Sequence, residues 1–118
     1  MSREQFEERV RACCAALPEV TERRSHGAPA WFAGRQFAQL WTEGHHDRPE
    51  PHLWCAAAPG AQEAAIAADP GRFFRPPYVG HRGWLGVVLD EGTDWEEVGA
   101  LLWAAWRTVA PAGGGARR

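Results

Sequence analysis

Lysine is missing altogether from this chain of 118 residues: all thirteen basic residues are arginine, set against fifteen acids for a net charge of −2. A protein coated in positive charge for nonspecific DNA binding is therefore not expected. The arginine bias reads mainly as genome composition, although arginine also stacks and forks better than lysine. Cysteine is scarce as well. Cys13 and Cys14 are adjacent, Cys55 stands alone, and there is no C-x-x-C pair to suggest a zinc ribbon or a thioredoxin-type motif. Buried, inert thiols are the expectation. No apolar run approaches the length needed to span a bilayer; the longest lies near residues 100–106. The start, MSREQFEERVR, is charged from its third residue and has no apolar core of a secretory signal, so no membrane partner and a cytoplasmic location are expected. No G-x-S-x-G, Cys-His or similar catalytic signature occurs, so no enzyme activity, cofactor or metal site is expected. The histidines and aspartate of TEGHHDRPEP are competent ligands, but neighbours in one loop seldom converge tetrahedrally.

What is present is aromatic. Seven tryptophans and five phenylalanines are heavy for one domain of ordinary size. Ser2 and Gln5 form a capping box, and Phe6, Val10, Cys13, Cys14 and Leu17 recur at helical spacing until Pro18. The charged stretch EVTERRSHG reads as a connection. APAWFA and QFAQLW, split by Gly34-Arg35, read as a β-hairpin, and HLWCAA as a third strand. A short helix follows from Pro59-Gly60 to about Ala68. GWLGVVLD reads as a central strand apolar on both faces. Thr93 or Asp94 caps a last helix, with Glu96 and Glu97 completing a box and Pro111 as the stop. Its stripe comprises Trp95, Val98, Leu101, Leu102, Ala105, Trp106 and Val109. Trp103 sits at the edge of the stripe, where core packing is expected and a protein contact is the alternative. The order α-β-β-β-α-(β)-β-α predicts a single α+β domain over residues 1–111 with a mainly antiparallel sheet, and a disordered tail at 112–118.

The phrases SHGAPAWF with GRQFAQLW, DPGRFFRPPYVGHRGWLGVVLD and DWEEVGALLWAAWRTVAP together resemble the MmcQ/YjbR family of small bacterial proteins. The resemblance runs from about Phe6 to Pro111. It implies a compact fold similar to secretion chaperones and DNA binding through a double-wing motif, and it brings no catalytic residues.

The segment RFFRPPYVGHRGWLG, Arg72 to Gly86, is the most specific part of that resemblance. It holds three arginines and four aromatic rings without an acid. Three readings of it stay open at the level of sequence. Phe73, Phe74, Tyr78 and Trp84 could stack on bases while Arg72, Arg75, His81 and Arg82 meet phosphates. A planar small molecule, metabolite or antibiotic, could be enclosed by those rings with Trp31, Trp41 and Trp54, oriented by His26 or Arg75. Or the phenylalanines anchor a crossing loop in the core and the arginines are solvated. DNA, a small aromatic ligand, or a protein partner in the manner of a chaperone are the candidate partners, for a monomer or homodimer.

Overall fold

The computed structural model describes residues 1–45 and 48–110, so His46, Asp47, the stop at Pro111 and the expected tail at 112–118 lie outside the described residues. Helix α1 spans Arg3–Ala15 and opens on the expected box. The Ser2 hydroxyl accepts from the Gln5 amide at 3.2 Å, while the Gln5 side chain accepts from the Ser2 amide at 2.7 Å. Phe6, Val10 and Cys14 form its buried face.

The first correction to the sequence reading follows at once. Residues expected to form a charged connection are a strand, β1 (Thr21–Ser25), paired antiparallel with β2 (Ala28–Ala33). TERRS carries no apolar alternation because it is the edge of the sheet, largely exposed, and holds its place by backbone pairing. The two strands are joined through His26 and Gly27, both at positive φ (56° and 80°), as a tight turn of the primed kind requires.

From there the sheet runs as a meander. Strand β3 (Arg35–Trp41) turns back at Gly34, and β4 (His52–Cys55) pairs with β3. Helix α2 (Ala61–Ala68) then carries the chain to a two-residue edge strand, β5 (Phe73–Phe74). A 3-10 turn at Gly80–Arg82 leads into β6 (Leu85–Val88), which inserts between β4 and β5. The order is β1-β2-β3-β4-β6-β5, antiparallel throughout. Helix α3 (Trp95–Val109) closes the chain. Asp94 caps it, accepting from the amides of Glu96 and Glu97. The second acid of the expected box is used elsewhere: the Glu97 carboxylate pairs with Arg72 at 2.6 Å.

Register divides the sheet into two unlike faces. One carries Trp31, Ala38, Leu40, Leu53, Cys55, Leu85, Val87 and Phe73. Helices α1 and α3 pack there. Arg11 of α1 reaches Glu22 of β1 with a forked pair at 2.7 and 2.8 Å, and α3 lies along β3 and β4. Cys14 and Cys55 are buried, and burial pushes the Cys55 thiol up to about 12, so it stays protonated. The opposite face is different. It presents Gln39, Trp41, His52, Trp54 and Phe74 to the loop residues 42–45, 48–51 and 75–84.

Trp103 departs from its expected packing. It is 49% exposed on α3, with the Arg107 guanidinium 4.9 Å from its ring. No described helix is long and apolar enough to cross a membrane.

Gly86 shows how tightly the loop-covered face is built. A Cβ there would lie 2.4 Å from the ring atoms of Phe74, its cross-strand partner. Gly86→Ala is expected to destabilise the fold by about 1–3 kcal/mol through overpacking. Urea denaturation measures this, and combining it with Phe74→Leu should recover part of the loss.

Candidate ligand-binding site

The loop-covered face encloses a cavity of about 510 Å³. Its aromatic walls are Trp41 from β3, Trp54 from β4, and Trp84 just before β6, closed by His45, Tyr78 and Val79. The rings of Trp41 and Trp54 stand 5.0 Å apart, and the His45 ring lies 4.1 Å from the first and 5.1 Å from the second. Tyr78 meets His45 edge-on at 6.2 Å. The remaining wall is polar: His26, Gln36 and Gln39.

Local backbone devices place each of these groups. The β2–β3 register passes from Trp31↔Ala38 to Phe32↔Gln36, leaving Phe37 as an extra residue. That bulge turns Gln36 to the side of Gln39, and its amide donates to the Gln39 carbonyl at 3.2 Å. Gln39 in turn donates to the Ser25 carbonyl, tying β3 to the turn that presents His26. Tyr78 has φ +66°, a left-handed conformation rare for a bulky side chain, and is 66% exposed. Strain of this kind persists only where the surroundings over-determine it. Here Gln62 of α2 does so. It is buried and donates to the carbonyls of both Gly80 and Trp84, at 3.0 and 2.5 Å.

Two lining groups are left short of a partner. Trp41 and Trp54 each bury an indole N–H with no hydrogen-bond acceptor among the described residues. A buried unmade hydrogen bond costs about 1–3 kcal/mol, and native structures contain few.

Beyond the wall formed by His45 and Tyr78 lies a second hollow, an open cleft of about 820 Å³. Phe74 forms its floor, with Arg48, His52, Arg75, Pro76 and Pro77 around it. The Arg48 guanidinium stacks 3.7 Å from the Phe74 ring centre and holds Glu50 at 2.8 Å. Arg75 lies across Gly80, which has no side chain to obstruct it, and reaches Gln62 at 3.4 Å. His52 is buried, and its Nδ1–H donates to the Glu50 carbonyl in the neutral form, leaving Nε2 as an acceptor. Burial holds its pKa below the usual 6.5.

The residues singled out in the sequence therefore separate. Trp84, Tyr78 and His26 meet at the cavity, while Phe74, Arg75 and Tyr78 line the cleft. Trp31 and Phe73 belong to the opposite, helix-covered face and line neither hollow. Arg72 is bound to Glu97. His81 and Arg82 are exposed on the 3-10 turn, Arg82 lying 5.4 Å from the Trp84 ring. Of the four rings in Arg72–Gly86, only Tyr78 faces water. Gln36, Gln39, His45, Arg48 and His52 were not anticipated as a binding set. Among the described residues, no group of three His, Cys, Asp or Glu is placed to hold a metal.

Comparison with known proteins agrees with this architecture. The family model for YjbR matches residues 15–108. The chain belongs to the YjbR family. The crystal structure of Deinococcus radiodurans DR2400, a DUF419-domain protein, superposes with a TM-score of 0.66 over 82% of this chain and 72% of that one. At 19% identity it shows a shared fold. No curated protein matches the sequence. Both hollows are built from residues inside the matched YjbR region.

His52 gives a pH signature. Its folded pKa is depressed, so between that value and about 6.5 the unfolded chain binds more protons and stability rises with pH. The contribution is complete above about 6.5 and is lost as pH falls below it. Melting temperature is expected to drop from pH 7 to pH 5, and His52→Gln should flatten that drop.

Proposed function

We propose that this YjbR-family protein works by binding rather than catalysis, and that its ligand is a small, planar, hydrogen-bond-accepting molecule held in the tryptophan cavity. The observation that carries this reading is the pair of buried indole N–H groups of Trp41 and Trp54 in the wall of an aromatic cavity. Aromatic walls with a few placed polar groups are the usual lining of a small-molecule site. The unsatisfied donors give the site a chemical preference: a ligand carbonyl or ring nitrogen that the indoles turn to meet would remove their desolvation cost. Gln36 adds a complementary group, an acceptor for a ligand N–H or O–H. Its amide N–H is used on Gln39, and its carbonyl makes no hydrogen bond among the described residues.

DNA binding through Arg72–Gly86 has less to draw on. Arg72 is neutralised by Glu97, and Phe73, Phe74 and Trp84 are buried rather than offered to bases. Arg75, Tyr78, His81 and Arg82 remain as its exposed elements. The chaperone-like reading rests on Trp103, whose exposed ring is partly covered by Arg107.

One titration distinguishes the two main readings. Tryptophan fluorescence is followed against neutral planar heterocycles, duplex DNA and single-stranded DNA, at low and high salt. The proposal expects saturable quenching by a planar compound with little salt dependence. Tyr78→Ala should weaken it by about fivefold, on the scale of a lost aromatic contact, while leaving the melting temperature near that of the parent. Quenching by DNA alone, falling steeply with salt, would overturn the proposal in favour of the nucleic-acid reading.

A further inference from the structure

The two hollows are neighbours of opposite character. The cavity is lined by rings, amides and histidines, with no carboxylate or guanidinium among the described residues. The cleft has two arginines and, among the described residues, no acid in its lining, with Glu50 paired to Arg48 beside it. They meet at His45 and Tyr78, which line both. We infer that the ligand is an aromatic anion: a planar ring seated among the tryptophans, carrying a carboxylate or phosphate that lies across the Tyr78 wall between Arg75 and Arg48. This rests on the cavity being the binding site and adds the charge of what enters it.

The two guanidinium groups are prepared differently. Arg48 is stacked on Phe74 and already holds Glu50, so its orientation is set before any ligand arrives but its charge is largely offset, leaving Arg75 as the main cation. Arg75 pairs with no carboxylate among the described residues. Its only hydrogen bond there is a long one to the neutral Gln62 amide, and its stem is laid over Gly80. It is therefore a positioned cation with donors to spare, which suits an oxyanion. The Pro76-Pro77 pair after it stiffens the segment, since proline fixes its own φ. The strained Tyr78 comes next and turns the chain over the cavity.

The test compares matched neutral and anionic probes by isothermal titration calorimetry: quinoline against quinoline-2-carboxylate, and 1-naphthol against 1-naphthyl phosphate. The anion is expected to bind about tenfold tighter than its neutral partner, as a charge-assisted contact allows. The two pairs tell which oxyanion is preferred. Arg75→Gln should remove most of that advantage while leaving affinity for the neutral ring unchanged. Should Arg75→Gln lose its folded circular dichroism spectrum, Arg48→Gln, which leaves the Gln62 contact intact, provides the same readout with a smaller loss. Equal affinity for neutral and anionic partners would overturn this inference and leave the ring site standing. Failure of all four probes to bind would overturn both.

Discussion

A single buried amide holds the loop-covered face together. Gln62 lies on α2, outside the sheet, and is 3% exposed. Its two N–H groups go to the carbonyls of Gly80 and Trp84, and its own carbonyl receives Arg75. These three partners bracket the strained Tyr78 and the wall between the hollows. Removing the amide would leave two loop carbonyls without a donor in a buried setting, a larger loss than the net worth of the bonds themselves. The contact between Phe74 and Gly86 completes the arrangement from below. With no side chain at Gly86, the Phe74 ring can lie flat on β6, and Arg48 can then lie on that ring.

The two faces of the sheet divide the demands of folding and binding. The helix-covered face is apolar and closed, with Leu40, Leu53, Leu85, Val87 and Leu102 almost fully buried. No described side chain there is left with an unmade buried hydrogen bond. The other face mixes indoles, amides and a depressed histidine, and it bears the cost of two unmade hydrogen bonds. A stable domain can sustain such a cost on one face when the other supplies a well-packed core.

How far the sequence discloses this depends on which physical signal each part carries. The helices were legible because capping chemistry and periodicity are local: Ser2, Gln5 and Asp94 cap as expected, and Val98, Leu102 and Ala105 bury the expected stripe. The hairpin at Gly34 was legible for the same reason. Strand β1 was not, because an edge strand made of Thr-Glu-Arg-Arg-Ser carries no hydrophobic alternation. Its one available clue was His26-Gly27, a pair suited to two consecutive positive φ angles. Trp41 and Trp54 could be suspected of sharing a face, but Gln36 could not be placed there. Simple alternation from Gln39 puts it on the other side, and only the extra residue at Phe37 brings it back.

The arginine-rich segment shows why composition misleads about surfaces. Its charge was counted along the chain, yet charge acts through space. Arg72 meets Glu97, a residue twenty-five positions later, and so contributes little to any positive patch. Arg75 is separated from every described carboxylate and turned towards a cleft. Two arginines three residues apart therefore have opposite fates, because β5 ends at Phe74 between them. Before that point the chain lies within reach of α3; after it the chain rises over the other side of the sheet. The strand end thus separates an arginine that closes the fold from one left open to a ligand.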